Sequence, residues 1–215
     1  MKYVLAVTLL LVMSQTSANC NDDAEKALLA GNVDESISLL TDCLESDLAG
    51  IARTWLLLGE AREEQGRTAD ALEMYARVID LDEDDASVAR AAFRRGLIRK
   101  DRRQYDRAET DLTLAIERDP ELAEAYFWRA RILHRGREFD AALADYTRAI
   151  DLDDQHAKAY YYRAAIYRKR NLDHLAIEDY YKATEIDPNF VRAHANRTFT
   201  YLYPLLPVLL VLFLG

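Results

Sequence analysis

The chain has 215 residues, of which 50% are hydrophobic and 30% are charged, with only 7 Gly and 4 Pro. A composition so poor in helix breakers predicts a helix-rich globular protein. The 37 acidic side chains outnumber the 28 Lys and Arg, and the resulting net charge of -9 argues against general nucleic-acid binding and is typical of a soluble surface.

The first segment, residues 1–18, has the pattern of a secretory signal peptide. Lys2 supplies the positive start, residues 4–12 supply a short apolar core, and small residues precede a cleavage point after Ala18. The apolar run is too short to span a bilayer comfortably. Cys20 follows closely and leaves lipidation as an alternative, although the Asn before it fits a lipoprotein signal badly. We therefore expect an exported chain.

A period of 34 residues organises the rest of the chain. Residues 123–156 and 157–190 carry the same residue types at the same offsets, and residues 52–85 and 89–122 follow the pattern more loosely. The matching pairs are Tyr126 with Tyr160, Arg129 with Arg163, Ala130 with Ala164, Ala142 with Ala176, Tyr146 with Tyr180, and Ala149 with Ala183. A fixed period of this size indicates stacked copies of one supersecondary unit.

The repeated residue types predict a helical hairpin. Small residues at positions 8, 20 and 27 of each unit let two helices approach closely, where a bulky residue would overpack. The large side chain at position 24 fills the remaining volume, and a Pro at position 32, as in Pro120 and Pro188, ends the second helix. Each hairpin has an apolar face that only a neighbour can bury.

These positions resemble the tetratricopeptide repeat (TPR) over four full units. The residues that carry the resemblance are Trp55, Leu58, Gly59, Ala71 and Tyr75 in the first unit, and Gly96, Ala108, Leu112, Ala115 and Pro120 in the second. In the second, third and fourth units, Arg replaces the family's Leu at position 7 without breaking the helical pattern; these residues are Arg95, Arg129 and Arg163. The resemblance implies an all-α, right-handed superhelical solenoid of antiparallel helical hairpins.

Residues 19–51 resemble a degenerate N-terminal unit. In its register Cys20 is at position 4 and Cys43 is at position 27, which lie opposite each other in an antiparallel hairpin. In an exported chain this placement favours a Cys20–Cys43 disulfide, with two buried free thiols as the alternative. The bridge would close a loop of about two dozen residues and contribute about 3 kcal/mol in the chain-entropy model.

Three extra residues, 86–88, separate the first two full units and predict a longer connection, with Asp85 or Ser87 as the N-cap. The helix that follows is strongly basic. Two interpretations stay open: a solvated helix paired with acids of neighbouring units, or a patch that binds anions or an acidic peptide. Its cations are Arg90, Arg94, Arg95, Arg99, Lys100, Arg102 and Arg103.

The C-terminal end begins as a further first helix, residues 191–203, which we expect to cap the array. An apolar tail, 204–215, follows, and the whole run 199–215 carries no charge. The run either folds back over the last repeat or enters a membrane; a truncated or frame-shifted end is the third alternative.

No catalytic pattern is present in the sequence. The four His are scattered over separate units, there is no Gly-rich phosphate loop or Gly-x-Ser-x-Gly motif, and we expect the carboxylates to fall on solvated positions. We therefore predict no enzyme activity, no cofactor and no metal site. The resemblance implies a scaffold or adaptor that binds a protein or peptide, with the bacterial periplasm as its compartment. A membrane-attached assembly factor of the cell envelope and an accessory subunit of an envelope enzyme are the alternatives.

The resemblance also implies that the first helix of each hairpin lines a concave groove. In this sequence the groove is aromatic along its floor, acidic near Glu60, Glu63 and Glu64, and basic toward the other end, where His134 and Lys169 also lie. The family's carboxylate clamp is not matched, because its motif positions hold Leu56, Glu60 and Arg94. We expect a peptide, acidic where it meets the basic end and anchored on Trp128. The candidate groove residues are Phe93, Arg94, Phe127, Trp128, Arg131, Arg135, Tyr161, Tyr162 and Arg168.

Overall fold

The computed structural model describes residues 20–46 and 51–202. Within these ranges all the regular secondary structure is α-helical, which confirms the all-α prediction. The expected signal peptide at 1–18 and the apolar tail at 204–215 lie outside the described residues.

Successive helices pair as antiparallel hairpins. They are α1 (20–29), α2 (Val33–Ser46), α3 (Ile51–Glu64), α4 (Thr68–Leu81), α5 (Asp85–Asp101), α6 (Tyr105–Arg118), α7 (Ala123–Gly136), α8 (Phe139–Leu152), α9 (Ala157–Lys169), α10 (Asp173–Ile186) and α11 (Val191–Leu202). The chain divides into two compact units, Met1–Pro120 and Glu121–Gly215, called here the N-terminal unit and the C-terminal unit.

The core of the N-terminal unit depends on small residues where two helices cross. A Cβ added to Gly59 would lie only 2.6 Å from Cε1 of Tyr75, so α3 and α4 meet where no larger residue fits without movement of the ring. Ala71 and Tyr75 are fully buried. Positions 8, 20 and 24 of this repeat therefore have the packing roles that the sequence predicts for them.

The C-terminal unit repeats this packing twice. Tyr146 and Tyr180, at position 24 of the two repeats, are fully buried, and so are the alanines at positions 8 and 20. Those alanines are Ala130, Ala142, Ala164 and Ala176. The large-against-small arrangement fills each hairpin and explains the period of the sequence.

A disulfide joins Cys20 and Cys43, as the sequence predicts. Their Cα atoms lie 6.1 Å apart, which is an ordinary separation for a disulfide. The same hairpin is tightened by Ser36, a fully buried residue whose Oγ donates a hydrogen bond of 2.8 Å to the carbonyl of Ala24. The hairpin of α1 and α2 thus has a covalent link between its helices.

The expected connection at residues 86–88 is wrong. These residues belong to the first turn of α5, and the N-cap is Asp84, whose Oδ1 accepts a hydrogen bond of 2.7 Å from the Ser87 amide. An Asp carboxylate at this position satisfies an amide that has no partner inside the helix. Burial of Ser87 and Val88 draws the added turn onto the core, so α5 starts earlier than the repeat period suggests.

The expectation that the carboxylates are solvated is also wrong, because one of them is buried in each of three repeats. Asp111, Asp145 and Asp179, all at position 23, are 1%, 7% and 6% exposed. Each carboxylate accepts bidentate hydrogen bonds from the guanidinium of the Arg at position 7 of the same repeat, with N···O distances of 2.7–3.2 Å. These pairs are Arg95 with Asp111, Arg129 with Asp145, and Arg163 with Asp179.

The first full unit lacks this ion pair and has two apolar residues in the same places, Leu58 and Met74, which join one hydrophobic cluster. Arg at position 7 therefore occurs with Asp at position 23, and Leu occurs with Met. Burial opposes the charge of Arg163, yet its hydrogen bond with Asp179 and the charge of that carboxylate outweigh burial and raise the Arg163 pKa. The Arg residues that depart from the family pattern thus form part of the structure inside each hairpin.

None of the helices in the described residues is both long and apolar enough to cross a membrane. No group of three or more His, Cys, Asp or Glu side chains in this part of the chain is arranged to hold a metal ion.

Candidate functional site

Three first helices, α7, α9 and α11, share one face of the C-terminal unit, called here the α7–α9–α11 face. The Tyr162 ring on α9 lies 6.4 Å from the His134 ring on α7. Asn196 on α11 donates a hydrogen bond of 3.2 Å to the Tyr161 hydroxyl. The face is therefore a layer of packed aromatic and polar side chains.

Arg131 lies at the centre of this face. Its guanidinium carbon is 3.8 Å from the centroid of the Tyr162 ring and 5.9 Å from that of Trp128. The face of an aromatic ring attracts a cation but does not neutralise it. Among the described residues, no carboxylate lies within salt-bridge distance of Arg131. Its positive charge is therefore uncompensated.

Arg168 and Lys169, in the last turn of α9, repeat this arrangement. The Arg168 guanidinium carbon lies 6.0 Å from the Phe199 ring, and Lys169 Nζ lies 4.1 Å from the Phe139 ring. Neither side chain has a carboxylate at salt-bridge distance within the described part of the chain. Three cations of the C-terminal unit thus lie on aromatic rings, and the local positive potential favours an anionic ligand.

His134 is half-buried between these cations. Burial lowers the pKa of His134, and the positive charges of Arg131 and Lys169 lower it further. The imidazole is therefore neutral at neutral pH. Its ring packs edge-on against Phe139, Tyr146 and Tyr162, with centroids 5.6–6.4 Å away.

The remaining groove candidates of the C-terminal unit differ in accessibility. Trp128, Tyr161 and Tyr162 are half-buried, and Arg135 is exposed. Phe127 is only 1% exposed, so the expectation that it lines an accessible groove is wrong. Its ring packs 4.4 Å from the His156 ring and belongs to the core, because α7 turns position 5 toward its neighbouring helices.

In the N-terminal unit, two cations of α5 are paired with acids of α3, the preceding first helix. Arg90 Nε lies 2.7 Å from Glu60, and Arg94 Nε lies 3.4 Å from Glu63. Burial raises the pKa of Glu60 even though both arginines act against the change. This pairing supports the interpretation of the basic helix as internally neutralised, and Phe93 beside it is half-buried.

One functional candidate, the Tyr146 hydroxyl, was not identified from the sequence. It is buried and has no hydrogen-bond partner among the described residues. Position 24 by itself indicates only a core residue and gives no information on an acceptor for its hydroxyl. A comparison of the repeats provides a signal, because position 12 is Glu in the first full unit and His in the third.

Comparisons with known proteins agree with this architecture. Residues 22–86 and 93–157 match one family model described as a tetratricopeptide repeat, and residues 157–190 match a second. A search of curated protein sequences found no significant match.

Several solved structures are similar. MamA from Desulfovibrio magneticus RS-1 superposes with a TM-score of 0.65 at 17% identity, covering 81% of this chain and 96% of that one. YrrB, described as a TPR protein with an unusual peptide-binding site, gives 0.66 at 20% identity, over 83% and 90%. The first TPR of Spaghetti (RPAP3), bound to the HSP90 peptide SRMEEVD, gives 0.51 at 25% identity, over 53% and 90%.

The family matches cover more than half of the chain, and the helical hairpins with small residues at positions 8 and 20 agree with them. This chain belongs to the tetratricopeptide repeat family.

Proposed function

We propose that this protein is a non-enzymatic interaction scaffold that binds an acidic peptide or protein segment on the α7–α9–α11 face. The observation that carries the proposal is the set of three cations, Arg131, Arg168 and Lys169, that lie on aromatic rings without a carboxylate at salt-bridge distance in the described part of the chain. Uncompensated positive charge beside aromatic side chains complements an acidic segment.

The two units support this choice of site by their contrast. In the N-terminal unit, Glu60 and Glu63 pair with Arg90 and Arg94, so little charge remains for a ligand. On the α7–α9–α11 face, Arg131, Arg168 and Lys169 have no such acid among the described residues. Two of the similar structures also support a peptide ligand, since one is described by its peptide-binding site and the other holds a peptide with three acidic residues.

A random peptide library displayed on phage tests this function, with the whole chain as bait. Peptides enriched in Asp and Glu are expected. Reversal of charge in an Arg131→Glu/Arg168→Glu variant should slow association and abolish most binding, while Arg148→Glu on α8 is the matched control. Trp128→Ala should cost about 2 kcal/mol or more of binding with the fold unchanged. Enrichment without acidic residues, or equal binding by all variants, would contradict the proposal.

We also propose that the protein is exported, with the bacterial periplasm as its compartment. The pattern of residues 1–18 and the Cys20–Cys43 disulfide support this, since disulfides persist in oxidising compartments. Intact mass from the native host should show loss of residues 1–18 and of two protons. Full thiol labelling of the denatured chain without reductant would contradict the oxidised state.

We propose that the C-terminal run, residues 199–215, attaches the protein to a membrane. Phe199 and Tyr201, which precede the apolar tail, are 53% and 64% exposed at the end of α11. If the run anchors the protein, its deletion should move the chain into the soluble fraction with its melting midpoint unchanged. A lowered midpoint or aggregation would instead indicate that the run covers the last repeat.

A further inference from the structure

Two side chains of the N-terminal unit meet at one carboxylate, that of Glu63. The Tyr75 hydroxyl donates a hydrogen bond of 2.9 Å to Glu63 Oε2, and Arg94 Nε lies 3.4 Å from the same oxygen. Glu63 is at position 12, Tyr75 is at position 24, and Arg94 is at position 6 of the next repeat. This arrangement shows how the face of one repeat holds a carboxylate between a tyrosine hydroxyl and an arginine.

The same three positions meet in the C-terminal unit, but the carboxylate is missing. Position 12 is His134, position 24 is Tyr146, and position 6 of the next repeat is Tyr162. The Tyr146 ring is stacked with the Tyr162 ring, with centroids 6.1 Å apart. The centroid of the His134 ring lies 6.3 Å from that of Tyr146. The positive charge comes instead from Arg131, whose guanidinium covers the Tyr162 ring at 3.8 Å.

The Tyr146 hydroxyl has lost the acceptor that Tyr75 has. It is buried and makes no hydrogen bond within the described residues, whereas the great majority of buried hydroxyls are satisfied. Burial raises the pKa of Tyr146, and Arg131 acts in the opposite direction, so the guanidinium is near enough to influence this hydroxyl. A buried donor beside an uncompensated cation is the environment in which a carboxylate is held most strongly.

We propose that a Glu or Asp side chain of the bound acidic segment takes the place of Glu63 in the C-terminal unit, accepting a hydrogen bond from the Tyr146 hydroxyl while it pairs with Arg131. The inference rests on the proposed function and deepens it by naming one subsite. The Arg131 guanidinium lies over the Tyr162 ring, and the Tyr162 ring is stacked with the Tyr146 ring. Binding of the carboxylate therefore requires side chains of the face to move and expose the buried Tyr146 hydroxyl.

The test places the carboxylate in the chain itself. His134→Glu reproduces the first repeat, so the new side chain should accept from Tyr146, pair with Arg131 and compete with the ligand. The probe is a fluorescein-labelled, amidated octapeptide alternating Glu and Ser, with Gln for Glu in the control peptide, measured by anisotropy on the full chain at low salt. We expect His134→Glu to weaken binding at least about tenfold, and His134→Gln, which removes the same ring without adding a charge, to weaken it by a clearly smaller factor.

Tyr146→Phe separates the subsite from general charge effects. It should weaken binding by roughly tenfold or more, since one hydrogen bond to a charged group is lost. In the Tyr146→Phe background, His134→Glu should lose much of its effect, because the two changes act on one hydrogen bond. Equal effects in both backgrounds, or wild-type binding by both single variants, would overturn the subsite while the proposed function stands. If the wild type does not prefer the Glu peptide to the Gln peptide, the proposed function itself fails.

Discussion

Removal of Asp145 should be one of the most damaging single changes in the C-terminal unit. Its carboxylate accepts hydrogen bonds of 2.7 and 2.8 Å from Arg129, and the two side chains are only 10% and 21% exposed. Asp145→Ala leaves the Arg129 guanidinium inside the hairpin without its carboxylate. Breaking a buried pair in this way costs about 3–5 kcal/mol, and the remaining exposure of Arg129 reduces our expectation to about 2–4 kcal/mol.

The chain itself supplies the apolar alternative. In the first full unit Leu58 and Met74 hold the positions of Arg129 and Asp145. The double variant Arg129→Leu/Asp145→Met copies that pair and should differ from wild type by less than about 1 kcal/mol or be more stable, because it removes both charges and leaves none unpaired. The coupling between the two positions should therefore be large.

Urea unfolding of the whole chain, followed by circular dichroism, measures these changes. Asp140→Ala is the matched control, since the Asp140 side chain is 92% exposed in its pair with Arg170 and its removal should cost less than about 0.5 kcal/mol. If Asp145→Ala costs no more than this control, or if the double variant is as unstable as the single one, the account of the buried pair is refuted.

Ala142→Leu should overpack the central hairpin and destabilise it by about 1–3 kcal/mol, whereas Ala144→Leu on the exposed side of the same helix should have little effect; equal melting midpoints for both would contradict the packing described here. Reduction of the disulfide should lower the free energy of unfolding by about 3 kcal/mol, measured in urea with and without reductant, and an unchanged transition would show that the bridge does not constrain the unfolded chain. The pKa of His134 is lower in the folded state than in the unfolded state, so the unfolded state binds more protons below its own pKa of about 6.5. The stability from neutral His134 is therefore complete above that pKa and is lost as the pH falls toward the folded pKa. His134→Gln should flatten the stability profile below about pH 6.5, and a variant that follows the wild-type profile would show that another group causes it.

The all-α array could be predicted because its cause is local and repeated. Small residues at fixed positions, such as Gly59 and Ala142, let the two helices of a hairpin pack closely. A period of 34 residues indicates that such hairpins stack. The disulfide could be predicted from the same register, since it sets Cys20 opposite Cys43.

The features that the sequence did not predict depend on residues far apart in the chain that only folding brings together. Arg129 departs from the family pattern when position 7 is considered alone, and it becomes understandable only beside Asp145, sixteen residues later. The orientation of Phe127 follows from contacts with neighbouring helices. The missing acceptor of the Tyr146 hydroxyl is a property of three positions in two repeats, which the period alone does not report.

The dependence of peptide affinity on charge tests the central claim most directly. The measurement is the anisotropy of the labelled Glu/Ser octapeptide on the full chain across a salt series, with the Arg131→Glu/Arg168→Glu variant and the Arg148→Glu control. We predict that the wild type and the control bind the Glu peptide in preference to the Gln peptide, that added salt weakens this binding, and that the double variant does not bind. Equal affinity for the two peptides, or a double variant that binds like the wild type, would contradict an acidic ligand on the α7–α9–α11 face.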